Sequence, residues 1–226
     1  NTSICFKKYD LDMNEDFSII SSNTRKEKIK NFFINNKKNL ISFLIISILI
    51  LISFFGYEEY KSRKQIVISN EYNSILIEYD DTNKETTVSK LTDLINKKDP
   101  TYSPLSLYFI IDNKLILDNE KINGLFDVLI KETSLEKEIK YLVIFKKALF
   151  NADRYDEGDM LLTLNPVINS DSVWKPHALH LMGEFFYYKN EKQKAKEFFN
   201  RIINLKSPNP DIKLQAQKRL NRDLGE

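Results

Sequence analysis

Three observations predict an all-α chain with one N-terminal transmembrane helix followed by a solenoid of helical hairpins. The run LISFLIISILILISFF, from Leu40 to Phe55, is uncharged over 16 residues. Gly124, Gly158 and Ala195 recur at intervals of 34 and 37 residues, each placed on the second helix of a predicted pair. Only five Gly and six Pro interrupt 226 residues, a composition that suits helices rather than strands. Residues 1–39 then form an N-terminal segment, 40–57 the span, and 58–226 one helical domain with a C-terminal capping helix.

The N-terminal segment starts at Asn1, and Met13 opens an acidic-then-basic stretch, MNEDFSIISSNTRKEKIKNFF. Residues 1–12 are therefore expected to be an upstream extension or the end of a fragment. Between Thr24 and Asn36, Ile29, Phe32 and Phe33 fall on one side of a helix and basic residues on the other, the pattern of an interfacial helix. A solvated tether reads the same residues equally well. Cys5, the one thiol, precedes the span, so nothing beyond it can form an internal disulfide.

At 1.5 Å per residue the apolar run covers roughly 24 Å, somewhat less than the hydrocarbon layer, so Asn39, Gly56 and Tyr57 complete the crossing. A cleaved signal would need small residues before the cut, and Phe54, Phe55, Gly56, Tyr57 and Glu58 supply no such site. A buried soluble helix fails as a reading because the run is apolar on every face and far more hydrophobic than anything else in the chain. Arg25, Lys26, Lys28, Lys30, Lys37 and Lys38 precede the span, whereas Glu58 and Glu59 follow it directly. The bias of basic residues predicts a cytoplasmic N-terminus and, in a bacterium, a periplasmic helical domain anchored in the inner membrane.

Beyond the span the apolar residues recur at helical spacing. Tyr60, Val67, Ile68, Tyr72, Ile75, Leu76 and Tyr79 extend the membrane helix until Asp80, Asp81, Thr82 and Asn83 stop it. Val88, Leu91, Leu94 and Ile95 line a helix over 86–97, and Ser103 with Pro104 opens the next, through Leu107, Tyr108, Ile111 and Leu115. Ile122, Leu125, Phe126 and Leu129 mark a helix over 121–131. Ser134 precedes another, through Tyr141, Leu142, Phe145, Ala148 and Leu149, which pairs with 155–164 and is closed by Asn165 and Pro166. A final hairpin spans 174–205, and Ile212, Ala216 and Leu220 line the cap.

The last hairpin carries the repeat signal best. Leu179, Met182, Gly183, Phe186, Ala195, Phe199 and Ile202 occupy the seven places where a tetratricopeptide-like pair wants large, large, small, aromatic, small, aromatic and small-to-medium side chains. Two earlier copies, starting near Leu105 and Ile139, keep Gly124 and Gly158 but put Asp112 and Lys146 where a small residue belongs. Stacked pairs with a cap bury what a lone pair cannot.

Charge and site chemistry narrow the function. Residues 1–39 hold eight Lys/Arg and five Asp/Glu, which leaves 26 and 27 for residues 40–226, a net of −1. Nucleic-acid binding has no electrostatic basis there. His177, His180 and Glu184 share a helix face, but three-residue histidine spacing departs from the familiar zinc pattern and no further ligand is evident. No nucleophile sits in a Gly-rich turn, and no Gly loop could cradle phosphate. The sequence predicts neither catalytic residues nor a metal or cofactor.

The order of parts resembles a known family. MNEDFSII, the basic RKEKIK and NNKK, one span, FFGYEEYKSRK, degenerate tetratricopeptide pairs and an LKSPNPDIKLQAQKRL cap are similar to the ancillary SecYEG translocon subunits, the YfgM-like proteins. The resemblance implies an inner-membrane scaffold beside the protein-export channel, whose exported repeats meet periplasmic chaperones or emerging secreted chains. It also implies an inner groove on the first helix of each pair, lined by Phe109, Asn113 and Ile116, then Lys140, Val143, Lys147 and Phe150, then His177, His180, Glu184 and Tyr187. A scaffold for envelope assembly or cell division would use the same repeats, and self-association remains open.

Overall fold

The computed structural model describes residues 26–206 and 208–225. The expectations placed on Cys5, Met13 and residues 1–12 lie outside them. Among the described residues the chain is helical without a strand, and it divides into two compact units, 1–64 and 65–226. In the first unit residues 26–35 are helical, Asn36 interrupts, and α1 begins (Lys37–Glu78). This 42-residue helix is long and apolar enough to cross a membrane, with mean hydropathy 2.6 in its most apolar stretch and none of that stretch buried. Ile48, Leu49, Ile50 and Leu51, four consecutive residues that together face every side of the helix, all stand exposed.

In the second unit α1 contributes Ile68 and Ile75 to the core. Asp80 ends it: its carboxylate accepts the Thr82 amide at 2.8 Å while Asn83 Oδ1 accepts the Asp80 amide at 3.1 Å, a reciprocal cap. The later helices are α2 (Lys84–Asn96), α3 (Tyr102–Asp112), α4 (Asn119–Asp127) with a π turn over Val128–Glu132, α5 (Lys137–Phe150), α6 (Glu157–Ile168), α7 (Lys175–Tyr188), α8 (Lys192–Ile203) and α9 (Pro210–Lys218) with a π turn over Arg219–Asp223.

The pairing differs from the expected register at its start. α3 packs chiefly on the preceding α2, whereas α4 touches α3 and α5 only lightly; α5 pairs with α6 and α7 with α8 as the spacing predicts. Side chains in the short α2–α3 turn account for the difference. Asp99 accepts the amides of Thr101 and Tyr102 at 2.9 and 2.8 Å, and the Ser103 hydroxyl donates to Leu94 O at 2.8 Å across the hairpin. The α3–α4 connection has no such cross-helix bond, and Leu115, Ile116 and Leu117 occupy it. Pro166 also departs from expectation, since α6 runs through it to Ile168. The lost bond to Leu162 O falls on an exposed face, where Leu162 is 76% accessible and water can serve the carbonyl.

Two core clusters result. One joins Ile68, Ile75, Leu91, Leu94, Ile95, Leu107, Ile110, Ile122, Phe126, Leu129 and Val143. The other runs from Ile144 and Ala148 through α6, α7 and α8 to Ala216 and Leu224. Leu179, Met182, Phe186, Ala195, Phe199 and Ile202 are all buried in it, and a Cβ added to Gly183 would lie 2.6 Å from Phe199 Cε1. Gly183 therefore provides the close approach that the pattern predicts. Gly124 and Gly158 do not: both are exposed, a Cβ on Gly124 would meet nothing within 4 Å, and one on Gly158 would meet only Asp156 Oδ1 at 3.3 Å. They are corrected from packing positions to surface positions, because their helices present them away from the neighbouring pair.

Candidate binding groove

An apolar groove of about 680 Å³ opens between α2 and the Leu115–Leu125 segment. Its formation starts with the end of α3. Lys114 turns into the left-handed region at φ 50°, and the Leu115 amide then donates to Ile110 O at 2.9 Å, which releases the chain from the helix. Asp118 restarts it by accepting the amides of Glu120 and Lys121 at 2.9 and 3.3 Å. Leu115, Ile116 and Leu117 are thus held out of helical register against Val88 and Thr92 of α2 and Leu125 of α4. Leu117 is 82% exposed, and Gly124 leaves open space where any other residue would project a side chain.

Lys84, Glu85, Asp118 and Lys121 surround the groove with both signs of charge. Two of these charges are already engaged, since Lys84 pairs with Asp81 at 2.9 Å and Asp118 serves its helix cap. The lining offers Thr92 as a hydroxyl and no histidine, cysteine or serine, so its chemistry is that of shape and apolar contact. A concave apolar surface of this size suits side chains of an extended or helical segment.

The sequence-predicted groove is placed differently. Ile116 lines the apolar groove. Phe109 packs edge-on against Tyr79 with ring centres 5.4 Å apart, and Asn113 is exposed with its amide donating to Phe109 O at 2.9 Å. Val143 is fully buried and is corrected from groove lining to core, because α5 turns that face onto α4 and its π turn. Phe150 stacks near Phe126 at 6.0 Å beneath the Arg154 guanidinium at 4.7 Å. Lys147 reaches Asp127 at 2.6 Å; burial raises the Asp127 pKa, but bonds from Lys147 and Lys131 outweigh it and leave it lowered. Lys140 is half-buried on the same helix. Lys146, out of place by repeat pattern, is accommodated by laying its ammonium 4.5 Å from the Tyr108 ring centre.

The third set gathers under the C-terminal cap. Arg219 donates to both Glu184 oxygens at 2.7 and 2.6 Å, to Asp223 at 2.8 Å, and lies 4.6 Å from the Tyr187 ring centre. His180 Nε2 is 3.8 Å from Glu184, and burial, aided by Arg219 and His177 and opposed by Glu184, lowers its pKa. Because the Glu184 carboxylate is engaged by a guanidinium, these residues do not fit a cation site. His177 packs beside the stacked rings of Trp174 and Phe145, its Nδ1 buried without a hydrogen-bond partner. The sequence reading placed Val88, Leu115 and Leu125 on apolar helix stripes and did not single out Thr92 or Leu117, so it missed this lining as a site.

No family model matches the chain, and neither does any curated protein or solved structure.

Proposed function

We propose that this chain is a membrane-anchored interaction scaffold, in which α1 holds a tetratricopeptide-like helical domain at the bilayer and the domain docks an apolar segment of a partner protein. The open groove carrying Leu117 and floored by Gly124 is the observation that supports binding, because Val88, Leu115, Ile116, Leu117 and Leu125 together offer a partner's apolar side chains one concave apolar surface to cover. The apolar length of α1 supports the anchor. The order of sequence parts favours the inner membrane with the N-terminus in the cytoplasm, and SecYEG with periplasmic chaperones or secreted chains as partners. An envelope-assembly or cell-division scaffold is the alternative role.

The test places a photo-crosslinking residue at Leu117 and, as a control, at Leu214 on the exposed side of α9, in the full chain expressed in cells. Export-channel subunits, chaperones or secreted chains captured from Leu117 and not from Leu214 support the translocon role. Capture of division or outer-membrane assembly proteins there supports the alternative. Equal capture from both positions overturns the groove as the docking face.

A further inference from the structure

The helical stretch before α1 has an exposed aromatic face edged by lysines. Over residues 26–35 the backbone is helical and Asn36 is a turn residue, where its Nδ2 donates to Phe32 O at 3.1 Å beside its own amide at 3.0 Å and its carbonyl accepts the Leu40 amide at 2.9 Å. Ile29, Phe32 and Phe33 share one face at helical spacing and are 58, 57 and 57% exposed, with the two rings edge-on at 6.1 Å. Lys26, Lys30 and Lys37 flank that face on one side and Lys28 on the other, while Glu27 and Asn31 lie opposite. Ile34 falls off the stripe.

We propose that residues 26–38 lie in the headgroup layer of the leaflet at the N-terminal end of α1 and bind anionic lipid. The aromatic face enters the acyl boundary and the flanking lysines reach the phosphates. The inference rests on the reading of α1 as a membrane span. Charge complementarity and direct continuity with that span single out lipid as the occupant: five lysines against one glutamate in thirteen residues meet an anionic surface, and the chain connects at Asn39 to the first residue of the apolar run. Long lysine stems extend from an interfacial helix toward water in the same way. A soluble protein partner would have to compete with a bilayer already tethered alongside.

The test uses the full chain with Cys5→Ser, reconstituted in vesicles of phosphatidylcholine alone or of phosphatidylcholine with phosphatidylglycerol. Single cysteines at Ile29, Asn31, Phe33 and Ile46 are reacted with a membrane-impermeant maleimide on permeabilised vesicles. In the anionic vesicles Ile29→Cys and Phe33→Cys should be protected and Asn31→Cys reactive, a helical phase that an upright or solvated segment would not give. Protection should fall in phosphatidylcholine alone. It should also fall with Lys28→Glu and Lys30→Glu, by about fivefold or more per lysine lost. Equal reactivity at positions 29, 31 and 33 in both lipids, with Ile46→Cys protected, overturns the lipid surface and leaves the span intact. A reactive Ile46→Cys overturns the span and this inference together.

Discussion

The C-terminal hairpin and the helices around α4 each contain a mid-helix glycine and put it to opposite uses. At Gly183 the ring of Phe199 fills the space a side chain would take, with Cε1, Cζ and Cδ1 between 2.6 and 2.9 Å from a built Cβ. At Gly124 the space stays empty and becomes part of a groove. One glycine brings two helices together and the other leaves a surface open. The difference follows from what the next element does. α8 returns antiparallel onto α7, whereas α4 ends in a π turn and makes only light contact with its neighbours.

The largest effect separating the two regions should come from Phe199→Ala. This ring is fully buried against Gly183 and His180, so its loss should cost about 3–5 kcal/mol in denaturant unfolding of the full chain in detergent. Leu125→Ala, half-buried at the groove, should cost less than half as much. Similar losses at both positions would break the comparison. Gly183→Ala should cost about 1–2 kcal/mol, because crowding the Phe199 ring outweighs the helix-propensity gain of about 1 kcal/mol. Combining it with Phe199→Leu should recover part of that loss, a coupling that thermal unfolding of the four forms would measure.

A smaller effect concerns the cap. Arg219→Met leaves the Glu184 carboxylate, whose side chain is only 18% exposed, with His180 as its remaining ionic neighbour. The loss should be about 1–3 kcal/mol at neutral pH. The pH dependence sharpens it. His180 has its folded pKa below the ordinary value of 6.5, so the unfolded chain binds its proton more readily. The stability tied to neutral His180 is present above that value and is lost as pH falls from it through the lowered folded pKa. Removing Arg219 takes away one cause of the lowering and frees Glu184, which favours the imidazolium. In Arg219→Met the His180 titration followed by NMR should therefore move up, and the loss of stability on acidification should shrink. An unchanged titration would mean that Arg219 has no part in setting this histidine.

Helix positions were legible from periodicity, since burial at Ile122, Phe126 and Leu129 and again at Leu179, Met182 and Phe186 repeats every three or four residues. The last hairpin was legible in detail because small and aromatic side chains alternate there at fixed offsets. Two things were not. Pairing of α3 with α2 depends on Asp99 and Ser103, whose hydrogen bonds reach across a turn that apolar spacing does not register. The groove depends on Leu115, Ile116 and Leu117 leaving the helix after Lys114, whereas periodicity continues Leu115 on the helix stripe of Tyr108 and Ile111. The spacing of glycines likewise counts Gly124 and Gly183 as alike, and only the neighbours of a missing Cβ tell them apart.

Gly124→Ala carries the smallest expected effect and is the most discriminating test. A methyl group there meets nothing within 4 Å, so helix propensity acts alone and the variant should gain about 0.5–1 kcal/mol in unfolding of the full chain. A gain with unaltered partner capture from Leu117 would mean that the glycine is merely tolerated. Gly124→Leu extends the argument, because its longer side chain enters the groove while the backbone remains helical. Stability should be kept or raised, and crosslinking from Leu117 should fall. Stability and binding would then move in opposite directions at one residue, as expected where an open surface is maintained at the expense of a better helix. Destabilisation by Gly124→Ala would instead show that α4 is as closely packed as α7.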